Sequence, residues 1–141
     1  MYELSSSSRK RLEGVDPQLV TLIEESLKVC PIDFGIPQYG GVRTDEEQYE
    51  LYLAGKSKCD GYKIRGNHQK AEDGLGKAID VYAYVNGRAS WDAVHLGIIA
   101  GVILSKAKEM GISIRWGGTF GSKEFNGWDK PHFELIETCQ D

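Results

Sequence analysis

One aspartate interrupts the most regular apolar stretch of this chain. From Ala78 to Val85 the residues alternate, with Ile79, Val81, Ala83 and Val85 on one face and Asp80, Tyr82 and Tyr84 on the other. That period of two predicts a half-buried strand. Aspartate is depleted in strands, and burying a carboxylate is costly unless it is paired or binds a metal. The fold must therefore bring compensating groups to Asp80.

The segments around this strand read mainly as helices. Pro17 to Val29 carries Leu19, Leu22, Ile23 and Leu27 at helical spacing, with Asp16 as cap and Pro17 at the first helical position. Thr44-Asp45-Glu46-Glu47 is a capping box that opens a second helix at Thr44. A third runs from Trp91 to Met110, with Ser90 as cap and Gly111 as its left-handed stop. Two more strands are expected at Ile112 to Trp116 and His132 to Ile136, and Asn86-Gly87 marks a tight turn. The order of elements is not a βαβ rhythm. It predicts an α+β domain with a small antiparallel sheet packed against about three helices. Residues 117–131, with four glycines, form a loop expected to wall a cleft. The serine run Ser5 to Ser8 reads as disordered, so residues 1–8 are expected to be flexible.

Composition narrows the function classes. A chain of 141 residues suits one domain, taken here as residues 1–141. A net charge of −4 argues against nucleic-acid binding, which calls for a basic stripe. No apolar run approaches the length of a membrane span, and the N-terminus lacks the apolar core of a secretory signal. Cys30, Cys59 and Cys139 show no paired spacing and are read as reduced thiols.

Three residues stand out as metal donors. On the third strand, Phe133 and Leu135 share one face while His132 and Glu134 share the other. His68 lies in the turn-rich run before Asp80. Two imidazoles and one carboxylate, with a fourth position open, form the donor set of a catalytic zinc site. Such an ion lowers the pKa of its water and polarises a carbonyl. His95, on the long helix, is read as a spectator, and Cys59 as structural. Tyr82, Tyr84, Trp116 and Trp128 are candidates to line a cleft, against an ordinary core role for aromatics at strand spacing.

Several motifs then resemble one family. Gly76-Lys77-Ala78-Ile79-Asp80 matches the end of S-x-H-x-x-G-x-A-x-D, and Asp129-Lys130-Pro131-His132 matches [DE]-x-x-H. Gly41-Val42-Arg43-Thr44 matches G-x-R-[ST]. These are the ordered motifs of the metallo-D,D-carboxypeptidase-like family, which includes vancomycin-resistance dipeptidases and phage endolysins. Phe133-Glu134-Leu135, Ile32-Asp33-Phe34 and Ser90-Trp91-Asp92 resemble the phage L-alanyl-D-glutamate peptidase subgroup. The resemblance spans about residues 9 to 136. Two departures accompany it. Gly66 replaces the motif serine, and His68 and Asp80 are twelve positions apart where the motif has seven. Five extra residues within 70–75 account for the difference. The rival register places Asp73 in the ligand position, and His68 is preferred because neutral imidazole is a normal zinc donor.

The resemblance implies a hedgehog/D,D-peptidase-like fold and one zinc ion per chain, held by His68, Asp80 and His132. It implies Asp129 as general base and acid, and Arg43 as the group that binds the polarised carbonyl or a substrate carboxylate. Glu134 is a competing acid, read as a supporting neighbour of His132. The implied activity is hydrolysis of the L-Ala–D-Glu bond in the peptidoglycan stem peptide, by a monomer with no nucleic-acid partner and no stable membrane association. Synthesis in the bacterial cytoplasm and release through a membrane pore at lysis would bring it to the cell wall. The alternatives are a D,D- or L,D-carboxypeptidase releasing terminal D-alanine, a zinc-stabilised binding module, and a non-haem iron oxygenase.

Overall fold

The computed structural model describes residues 1–136, so Cys139 lies outside the described residues. Four α-helices and six short strands are present among them. In order they are α1 (Ser6–Arg11), α2 (Pro17–Val29), β1 (Asp33–Gly35), α3 (Asp45–Leu53), β2 (Ala78–Asp80), β3 (Tyr82–Val85), β4 (Arg88–Ser90), α4 (Ala93–Met110), β5 (Ile114–Trp116) and β6 (His132–Leu135). The α+β class holds, but there are two antiparallel sheets where one was expected. One has strand order β1-β3-β4 and the other β2-β6-β5.

The division falls inside the expected strand from Ala78 to Val85. The Asp80 amide donates to the Gly40 carbonyl at 2.8 Å and the Val81 amide to the Pro131 carbonyl at 3.0 Å. These two bonds carry the chain from one sheet into the other. The alternation survives the change, since Ile79, Val81 and Ala83 are all fully buried. Asn86 and Gly87 both have positive φ and close the β3–β4 hairpin, as a type I′ turn requires.

The core is a layer of α2 and α4 beneath the sheets. Leu19, Leu22, Ile23 and Leu27 from α2 meet Ile99 and Ile103 from α4, with Ile79 and Phe133 above them. No described helix is long and apolar enough to cross a membrane.

Several boundaries differ from the sequence reading: β5 begins at Ile114 rather than Ile112, β6 ends at Leu135 rather than Ile136, and two helix starts change. Ser5 is not in a disordered run but caps α1, its hydroxyl accepting from the Ser8 amide at 3.1 Å. Ser8 is buried and its Oγ accepts from the Ile36 amide at 3.0 Å. A serine run reads as polar linker, yet the same hydroxyls satisfy backbone donors. Helix α4 starts after Asp92, not Ser90. Asp92 Oδ1 accepts from the Val94 amide at 2.9 Å, while Ser90 Oγ lies 2.7 Å from His95 Nδ1. Both residues are good caps, and pairing of Ser90 with Ala83 in the β3–β4 ladder leaves the role to Asp92.

Asp16 joins the cap of α2 to the strand that carries the site. Its Oδ1 accepts from the Gln18 amide at 2.9 Å and its Oδ2 from Lys77 Nζ at 2.8 Å. Burial opposes ionisation of Asp16, but Lys77 and the Gln18 amide outweigh it and hold its carboxyl below the usual range. Asp16→Ala removes a cap worth about 1 kcal/mol and leaves a largely buried ammonium short of a partner. The expected loss is about 2 kcal/mol by urea denaturation at pH 7. Because the folded pKa is depressed, this contribution is present above about pH 4 and disappears as the pH falls further.

Candidate metal centre

Strand register places the first two donors. Asp80 on β2 is directly opposite His132 on β6, so their side chains stand together on one face. One residue back, Ile79, Phe133 and Trp116 pair across all three strands and face the core. The sheet is thus apolar beneath and chemical above.

His68 arrives from a loop. The Arg43 amide donates to the His68 carbonyl at 2.9 Å, and Gln69, buried beside it, holds the loop with its side chain. Gln69 Oε1 accepts from the Gly66 amide at 2.8 Å, and its Nε2 donates to Asp45 Oδ1 and the Gly61 carbonyl, each at 2.9 Å.

His68 Nε2, Asp80 Oδ1 and His132 Nδ1 form a near-equilateral triangle, 3.2 Å on every side. Donors at about 2.0–2.1 Å from a tetrahedral zinc stand about 3.3–3.4 Å apart, so the set fits such an ion. The outer nitrogens are also committed. His68 Nδ1 lies 3.0 Å from the Gly41 carbonyl and donates to it, and His132 Nε2 donates to Glu134 Oε1 at 2.8 Å. Each ring's outer nitrogen is therefore committed and its inner nitrogen faces the other two donors, the arrangement that outer partners impose on metal-ligating histidines. Gly41 permits the contact, because a side chain there would collide with the Arg11 carbonyl.

Electrostatics follow from this crowding. Although burial opposes it, the two imidazoles hold the Asp80 carboxyl far below the usual carboxylate range. Burial also opposes a charge on His132, yet Asp80 and Glu134 push its pKa up to about 9. Without a metal, a proton on His132 thus supplies positive charge to the cluster.

Asp129 sits at the open side. Its Oδ2 is 3.8 Å from His132 Nδ1, and its carbonyl accepts from the His132 amide at 3.0 Å. Burial, with help from Asp80, raises its pKa above the ordinary value. The 117–131 loop comes close enough to place it because Gly117 has no side chain to strike the Asp129 carbonyl. Arg43 reaches the site from the other side, with Nη2 3.3 Å from Asp80 Oδ2. Its Nε donates to the Tyr39 carbonyl at 2.9 Å and its Nη1 to Gln48 Oε1 at 3.2 Å.

These groups line a cleft of about 570 Å³ that includes Phe120 and Trp128. The loop does wall it, as the glycine-rich sequence suggests. Trp116 does not: it is buried, and its Nε1 donates to the Lys130 carbonyl at 2.6 Å. Tyr82 and Tyr84 belong to the other sheet. Asp73 lies on the exposed turn, paired with Lys77, and is not among the three clustered donors. His95 bonds Ser90 and does not line the cleft.

Two residues of the cleft were not singled out from sequence. Gln48 is the buried residue of α3, and its Nε2 donates to Ser57 Oγ at 2.8 Å and the Cys59 carbonyl at 2.9 Å. It thereby fixes both Arg43 and the 57–59 wall. Its helix has no regular apolar stripe, so periodicity offers no clue to which side chain points inward. The Phe120 ring stands 5.7 Å from that of His132. It lies in an irregular loop, where pattern is silent.

Known proteins are similar to this chain over nearly its whole length. The chain is 25% identical over 143 residues to the L-alanyl-D-glutamate peptidase of Escherichia phage T5, covering 96% of this chain and 98% of that protein. Its fold matches the crystal structure of the Serratia marcescens L-Ala D-Glu endopeptidase ChiX with a TM-score of 0.77 and 30% identity, over 96% of this chain and 90% of that one. The family model for phage L-alanyl-D-glutamate peptidases matches residues 1–136. With these motifs in place on that fold, the chain belongs to the phage L-alanyl-D-glutamate peptidase family.

Proposed function

We propose that this protein is a zinc-dependent peptidoglycan peptidase that hydrolyses the L-Ala–D-Glu bond of the stem peptide. The observation that carries the reading is the triangle of His68, Asp80 and His132 open toward Asp129, in a chain of this peptidase family. His68 Nε2, Asp80 Oδ1 and His132 Nδ1 would hold the ion. When bound, zinc in such a set supplies Lewis acidity and brings the pKa of a coordinated water to about 7.

The chain's own groups do the rest. Asp129 Oδ2 takes a proton from the attacking water and returns it to the leaving amine of the glutamate. Its raised pKa suits both halves of that transfer. Three of the five N–H groups of Arg43 are engaged by Tyr39, Gln48 and Asp80. Two remain for the carbonyl oxygen as negative charge develops there. Glu134 orients His132, and Asn67 Nδ2 steadies Glu134 at 2.9 Å. Phe120 and Trp128 form an aromatic wall for the peptide.

Purified peptidoglycan digested with the zinc-loaded protein should yield free C-terminal L-alanine and new N-terminal D-glutamate by mass spectrometry. Release of terminal D-alanine alone would point instead to a carboxypeptidase.

Metal uptake should also depend on pH. Zinc needs a neutral His132, and that residue titrates at about 9 without metal. Zinc affinity should therefore climb about tenfold per pH unit from pH 7 and level off near pH 9. Titration calorimetry in buffers of different ionisation enthalpy should find about one proton released per ion at pH 7.

A further inference from the structure

A second hollow, of about 970 Å³, lies beside the metal cleft. Gly66, Asn67 and Glu134 line both, so the two meet along the Asn67–Glu134 hydrogen bond. Its far wall is built by residues 70–73, within the stretch that makes the His68–Asp80 spacing longer than the family motif. That stretch is a tight turn, closed by bonds from the Ala71 amide to the Leu75 carbonyl and from the Gly74 amide to the Ala71 carbonyl, each 2.9 Å.

The cations of this hollow differ in their commitments. Arg65 is held by Asp45 at 3.1 Å, and Lys77 by Asp16 and Asp73. Lys70 lines this hollow and the neighbouring one beside Gly14 and Val42, and makes no ion pair among the described residues. Arg115 lies 3.9 Å from Glu134 Oε2, an oxygen that already accepts from Asn67. Its guanidinium stacks over the Phe120 ring at 5.0 Å. Stacking leaves the in-plane N–H groups available for a carboxylate fork.

The substrate chemistry requires such a place. A glutamate that gives its amine to the scissile bond has two carboxyl groups, and only one can continue the chain. The other is an anion close to the reacting carbonyl. The metal cleft sets Asp80, Asp129 and Glu134 against Arg43, Lys56 and Lys58, and Arg43 is already engaged by Tyr39, Gln48 and Asp80.

Resting on the function proposed above, we propose that the second hollow receives the leaving-group side of the stem peptide. Arg115, assisted by Lys70, binds the free carboxylate of its D-glutamate and so sets specificity. The extra residues at 70–75 then carry one of the two recognising cations.

The test compares two synthetic stem-peptide fragments that differ only in this group, one with a free carboxylate and one with a primary amide. Wild-type protein should show a KM about tenfold lower for the carboxylate. Arg115→Gln should raise KM about tenfold more for the carboxylate than for the amide, and Lys70→Gln should act in the same direction more weakly. Arg115→Lys should restore part of the preference. Equal KM values for wild type on both substrates would overturn the inference. So would equal losses on both substrates in Arg115→Gln, or loss of the preference instead in Lys58→Gln, which alters a cation of the metal cleft. If mass spectra show that wild type cuts neither fragment at the L-Ala–D-Glu bond, the function reading itself falls, and this inference with it.

Discussion

His132→Ala should bind less than about a tenth of an equivalent of zinc and release no detectable product from peptidoglycan. Three of the site's interactions meet on this ring. Nδ1 closes the donor triangle with His68 and Asp80, Nε2 is held by Glu134, and one ring face meets Phe120. Alanine supplies no replacement donor, and the remaining imidazole and carboxylate are one ligand short of a catalytic zinc site. His68→Ala should behave the same way. Circular dichroism and zinc content measured together separate loss of the site from loss of the fold. Asp73→Ala provides the contrast, since Asp73 pairs with Lys77 on the exposed turn. It should keep full zinc and full turnover. If Asp73→Ala lost the metal while His68→Ala kept it, the proposed ligand set would be wrong.

Asp129→Asn should keep fold and zinc but lose at least about a hundredfold in turnover. General acid–base catalysis supplies about 10²–10⁴-fold, or roughly 3–5 kcal/mol of barrier. The carboxamide keeps the size of the side chain but offers no transferable proton. The neighbouring acid should respond differently. Glu134 lies opposite Ala78 and reaches His132 Nε2, the nitrogen that points away from the donor triangle. Glu134→Gln keeps an acceptor for that N–H but loses its charge. Its expected cost is about ten- to a hundredfold in metal affinity, with turnover of the zinc-saturated protein much less affected. The reverse order of effects would assign the proton transfer to Glu134.

Much of this site could be read because its residues sit on regular elements. The alternation across His132 to Leu135 correctly placed His132 and Glu134 on the face opposite Phe133, though His132 is itself buried there. The capping box at Thr44 also formed as expected, with both reciprocal bonds present. Ser5 shows the opposite case. Its run is polar and short, and only burial of Ser8 against Ile36 reveals an ordered helix.

Local periodicity in the sequence determined that Asp80 and His132 leave the apolar faces of their strands, and that α2 turns a stripe toward the core. Those are properties of neighbours along the chain, and a period of about 2.0 or 3.6 suffices to express them. Only the tertiary structure decided that Asp80 and His132 stand opposite each other, because strand register joins residues 52 positions apart. It likewise decided that the expected strand divides between two sheets, where Asp80 and Val81 bond to Gly40 and Pro131. The place of Gln48 behind Arg43, and of Asp129 over the donors, depends on loops whose conformation is set by packing and close glycine contacts. Such long-range contacts are chosen by the whole core, and no local pattern encodes them.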